Sequence, residues 1–70
     1  MNKNVKKVYD IFESHGIDNS MINDMDSLTY MIILADIESV FNIEIPDELL
    51  IKNNYKSIDD FVEIVQILLD

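Results

Sequence analysis

Val5, Val8, Tyr9 and Phe12 recur at i, i+3, i+4 and i+7, which places them on one face of a helix. This spacing predicts a first helix from Asn2 or Lys3 to Ser14, with Lys3, Lys6 and Lys7 mostly on other faces and Gly16 as its terminator. Residues 17–26 then read as a polar loop in which Ile17, Met21, Ile22 and Met25 supply apolar pins to a core. A second helix is predicted from Ser27 to about Phe41. At about 100° per residue, Tyr30, Ile33, Leu34, Ile37, Val40 and Phe41 gather on one side of it. Leu28, Met31, Ile32 and Ala35 gather on the opposite side, near Ser39. A helix apolar on two sides is either sandwiched or presents a docking strip, and in so small a chain the strip is the expectation.

Pro46 disfavours helical geometry at Ile45, so Asn42–Ile45 leave the helix and Asp47, Glu48 and Leu49 read as a turn. A short helix is expected within Leu50 to Tyr55. Ser57 caps a last helix, with Asp60 as a shorter stand-in for the usual capping-box glutamate. Ile58, Phe61, Val62, Val65, Leu68 and Leu69 form its core stripe. The expected fold is all-α: a four-helix bundle of three main helices plus one short one, as a single domain over residues 1–70.

Charge and composition narrow what such a bundle does. With 14 Asp plus Glu against 5 Lys plus Arg, the net charge is −9. That field repels phosphate backbones, which argues against nucleic acid, and favours proteins with basic patches. There is no cysteine, hence no disulfide, no thiolate nucleophile and no cysteine-based zinc site. The longest apolar run, Met31–Ala35, is far short of a membrane span, and the N-terminus lacks a signal-peptide core. A cytoplasmic monomer is expected.

Catalytic equipment is sparse. The single histidine, His15, adjoins Gly16 at a helix end, where a cation suits the helix dipole. No second histidine is present to complete a serine triad, and one glycine cannot build a phosphate-binding loop. The acidic stretch from Asp18 to Asp26 is no calcium loop: its sixth position is Asn23 rather than glycine, and its twelfth is Thr29 rather than glutamate. No metal site is expected.

Ser27 remains. As an N-cap it would contribute about 1 kcal/mol. Its place at the start of a helix also favours a phosphate attached there. Asp26-Ser27-Leu28, the amphipathic helix ending at Phe41, the Asn42-Ile43-Glu44-Ile45-Pro46-Asp47-Glu48 exit and the Tyr55-Lys56-Ser57-Ile58-Asp59-Asp60-Phe61 entry together resemble the acyl carrier protein family, peptidyl and D-alanyl carriers included. The resemblance is strong over residues 24–65. It implies a bundle in which Ser27 is esterified by 4′-phosphopantetheine from coenzyme A. A phosphopantetheinyl transferase would activate the hydroxyl with Mg²⁺, so the carrier needs no base, and Asp26 could hold the metal ion in that enzyme's site. The arm's thiol would hold acyl or aminoacyl groups as thioesters. The second helix would be the recognition helix, with Leu28, Met31, Ile32 and Ala35 meeting an apolar partner surface and Asp36 and Glu38 pairing basic residues around it. Partners would be the transferase, a loading enzyme and a downstream synthase or transferase.

Fatty-acid carriers usually have acids where this chain has Thr29 and Ile32, and a leucine-glycine pair before the serine, where it reads Asn23-Asp24-Met25-Asp26. The resemblance therefore points to a freestanding carrier in a specialised, polyketide or nonribosomal-peptide-like pathway. The alternative is an acidic helical adaptor without a prosthetic group, in which Ser27 is only a cap and the same apolar strip holds a partner helix.

Overall fold

The computed structural model describes residues 3–49 and 55–69, and among them it contains helices and turns but no strand. Helix α1 spans Lys3–Ser14, α2 spans Ser27–Phe41 and α3 spans Ile58–Leu69. The expected all-α bundle is what these elements form. The short helix expected within Leu50 to Tyr55 falls on residues 50–54, outside the described residues.

Helix α1 stops in a Schellman motif. Gly16 turns left-handed at φ 72°, its N–H returns to the Glu13 carbonyl at 2.9 Å, and the Ile17 N–H returns to Phe12 at 2.9 Å. The residues expected to form a plain loop contain a 3₁₀ segment, Asn19–Asp24, capped by Asp18, whose carboxylate accepts the Ser20 N–H at 2.9 Å. The first acid of the stretch from Asp18 to Asp26 thus serves as a cap. Helix α2 ends where Asn42 adopts φ 53° and where the Ile43 N–H returns to Glu38 at 3.1 Å. A second 3₁₀ turn, Asp47–Leu49, follows Pro46.

The core lies among the three helices. Val8, Ile11 and Phe12 enter it from α1, Tyr30, Ile33, Leu34 and Ile37 from α2, and Ile58, Phe61, Val62 and Val65 from α3. Phe61 stacks on Tyr55 with centroids 4.2 Å apart and meets Phe12 edge-on at 4.9 Å. Ile22 and Met25 are buried and pin the 3₁₀ segment down, with Ile17 partly buried beside them. Three expectations are corrected. Met21 and Leu69 lie exposed, and Val40 is 49% exposed, because it sits at the α1 flank of α2 rather than beneath it. Ile11, outside the expected stripe, is buried and widens the face of α1.

The start of α3 is held from outside. Asp60 reaches back to accept the Ser57 and Lys56 N–H groups at 3.2 and 2.8 Å, the acidic half of the expected capping box. The next amide, Ile58 N–H, donates to the Asn19 side chain at 2.7 Å, 39 residues away in sequence. Replacing Asn19 with Ala is thus expected to lower stability by about 1 kcal/mol in urea unfolding, with Asn19→Asp nearly neutral.

The tyrosines report on the same packing. Burial, then the neighbouring Tyr55, pushes the Tyr30 phenol up to about 12, and burial followed by the Asp60 charge raises Tyr55. The folded state holds these phenols neutral while the unfolded chain ionises them near the ordinary value of 10. Their contribution is complete below that pH and is lost as pH rises from 10 towards 12. Melting followed by circular dichroism should show this alkaline loss, reduced in Tyr30→Phe.

Candidate attachment site

The turn into α2 is built by two adjacent residues with separate duties. Asp26 is the N-cap, with φ −73° and ψ 167°. Its Oδ1 accepts the Thr29 N–H at 2.7 Å, and its carbonyl accepts the first helical bond from Tyr30 at 3.0 Å. This corrects the expectation that Ser27 caps the helix. Ser27 is the first helical residue instead, exposed, and its hydroxyl bonds to none of the described residues. An aspartate N-cap satisfies the orphan amide with a charged acceptor, which outcompetes a serine one residue later.

The hydroxyl therefore points into water at a helix N-terminus with no structural duty. Helical N–H groups and the positive end of the dipole favour an anion there, while Asp24 and Asp26 immediately before it oppose one. The site accommodates a phosphodiester: the oxygen is accessible, the helix end is complementary, and the cap survives esterification because another residue supplies it. The histidine of the chain is engaged elsewhere: His15 lies against Asp36, with Nε2 2.6 Å from Oδ2. His15 is thus both the end of α1 and a bridge to α2. Among the described residues, no group of His, Asp or Glu is placed to share a metal ion.

Leu28 is 72% exposed, and Met31, Ile32 and Ala35 are exposed along the same side of α2. This outer row faces away from the core formed by Tyr30, Ile33, Leu34 and Ile37. Asp36 and Glu38 flank it with their carboxylates already engaged. Asp36 meets His15, and Glu38 Oε2 accepts the Ile45 N–H at 2.9 Å, which ties the exit loop to the helix. Sequence reasoning missed the capping role of Asp26 and the tether made by Asn19. The Asx position before a helix was a signal for the first, and nothing local signals the second.

Residues 16–65 match the phosphopantetheine attachment site family. The chain belongs to this family. It is a phosphopantetheine-carrying protein, a carrier domain rather than a catalytic one, and its prosthetic group is 4′-phosphopantetheine held covalently on a serine. A carrier of this kind interacts with a phosphopantetheinyl transferase and with acyl-handling enzymes. Searches of curated proteins and of solved structures found no match. None of the helices among the carrier's described residues is long and apolar enough to cross a membrane.

Proposed function

We propose that Ser27 carries the arm and that the chain shuttles acyl or aminoacyl groups between a loading enzyme and a downstream synthase or transferase. The pathway is a specialised one of polyketide or nonribosomal-peptide type, and the setting is the cytoplasm. The observation that carries this reading is the exposed, structurally idle Ser27 hydroxyl beside the Asp26 cap.

The other serines in the matched stretch fit less well. Ser20 donates its hydroxyl to Asp18. Ser57 is only half-exposed at the start of α3, and Ser39 lies far along α2 from its anion-friendly end. During loading, the Ser27 oxygen forms the new bond to the pantetheine-side phosphorus of coenzyme A's pyrophosphate. The bond from that phosphorus to the bridging oxygen breaks with adenosine 3′,5′-bisphosphate as the leaving group, and the hydroxyl proton goes to the transferase. Asp26 holds the first turn of α2 throughout, so the nucleophile stays at a fixed point. When bound, the arm supplies a terminal thiol for thioester chemistry, which the cysteine-free chain does not have. Leu28, Met31, Ile32 and Ala35 present the apolar part of the docking surface, and Asp36 and Glu38 border it with negative charge. The adaptor alternative assigns Ser27 to capping, a duty that Asp26 performs.

Intact mass after enzymatic loading tests the attachment residue. Docking has its own test. Met31→Glu and Ile32→Glu should each lower kcat/KM for loading by about tenfold, because a buried charge replaces an apolar contact in the complex. Their circular dichroism should match wild type, since Met31 is 54% and Ile32 43% exposed. Loss of helicity in either variant would assign that side chain to the core.

A further inference from the structure

The chain contains no cysteine, so four methionine thioethers are its whole complement of sulfur. Met1 lies outside the described residues, and the other three occupy contrasting places. Met25, just before the Asp26 cap, is buried at 4% exposure. Met21 is 41% exposed on the 3₁₀ segment, and Met31 is 54% exposed on α2. Met31 stands one helical turn after Ser27, in the outer row with Leu28, Ile32 and Ala35. Its three companions are hydrocarbon and inert towards peroxides. The thioether is therefore the one group of the row whose polarity an oxidant can change.

We propose that Met31 is a modification site, oxidised by hydrogen peroxide to the sulfoxide, and that this oxidation releases docked partners from α2. The sulfur lone pair attacks one peroxide oxygen: an S–O bond forms, the O–O bond breaks and water leaves. The thioether loses two electrons and the peroxide gains them, with both peroxide protons carried off in the water. The product sets a strong hydrogen-bond acceptor in an apolar row. In solvent that oxygen is hydrated, but against a partner's apolar surface it is stripped of water. The charge of −9 is unchanged, so attraction at a distance persists and the loss falls on the dissociation rate. Met25 is shielded by the fold, so the core keeps its apolar sulfur while the surface one reacts. The proposal rests on the reading of the α2 row as a docking surface, and adds the regulation of that surface.

The test applies hydrogen peroxide in increasing doses to the unloaded chain, the form that docks on the transferase, and follows each methionine by peptide mass mapping. Met31 and Met21 should gain one oxygen at least about tenfold faster than Met25. Binding to an immobilised broad-specificity phosphopantetheinyl transferase is then measured without coenzyme A. Oxidation should raise the dissociation rate, and with it Kd, about tenfold. Methionine sulfoxide reductases for both epimers should restore the affinity. Met31→Leu, which keeps the volume and loses the sulfur, should bind like wild type and ignore peroxide. Met21→Leu should stay as sensitive as wild type. Affinity unmoved by Met31 oxidation, equal sensitivity in Met31→Leu, or helix loss by circular dichroism in step with oxidation would each overturn the switch. An unoxidised chain that fails to bind overturns the docking reading and the switch together. The mass gained at Ser27 is a separate measurement, untouched by either result.

Discussion

Incubated with coenzyme A, Mg²⁺ and a broad-specificity phosphopantetheinyl transferase, the wild-type chain is expected to gain the mass of one phosphopantetheine, and Ser27→Ala none. The effect is all-or-none because no other hydroxyl combines exposure, freedom from structural duty and a helix N-terminus. The fold should hardly notice. Ser27→Ala removes a side chain that bonds to none of the described residues, so its unfolding free energy should stay within about 0.5 kcal/mol of wild type. Asp26→Ala is the complementary control. It removes the acceptor for the Thr29 N–H and should cost about 1 kcal/mol while leaving the Ser27 hydroxyl available for loading. Mass gained by Ser27→Ala would move the attachment to another residue. A large stability loss in that variant would restore Ser27 to a capping role.

The largest effect on stability is expected from Phe61→Ala. The Phe61 ring is buried and contacts rings from three parts of the chain: Tyr55 stacked at 16°, Phe12 edge-on at 60° and Tyr30 at 61°. Truncating such a residue costs about 3–5 kcal/mol, as a transfer loss plus an unfilled cavity. A domain of this size has about 4–10 kcal/mol in all, so the variant should be close to its unfolding transition in plain buffer. Urea unfolding followed by circular dichroism measures this. Phe61→Leu should lose much less, because it retains most of the volume. If Phe61→Ala stays within about 1 kcal/mol of wild type, the core does not close around that ring.

The long helices are legible in the sequence because local signals agree. Gly16 marks the stop of α1 and is found left-handed. Asn42 occupies the same conformation after α2. The period of Ile58, Phe61, Val62 and Val65 was enough to place α3 against the core. The opposite apolar row on α2 could also be read, since angle around the helix depends only on position.

Burial depends on what covers that angle, and there the reading was less complete. Val40 points towards the core side by wheel angle, yet it lies at the α1 flank, where a cleft between α1 and α2 leaves it open. Asp26 and Ser27 are both good capping residues side by side, and the choice between them turns on backbone geometry, extended at Asp26 with φ −73° and ψ 167° and helical from Ser27 onward. The Asn19 contact to Ile58 has no local signature at all, because it forms only once the 3₁₀ segment and α3 are brought together.

An oily row left in water ordinarily invites clumping. Here it rides on a body carrying −9, and two such bodies approaching row to row repel each other over a Debye length of about 8 Å at physiological ionic strength. A client of opposite sign meets attraction over the same distance. Colloidal stability and client choice thus have a common origin in the surplus of carboxylates, and concentrated salt weakens both together.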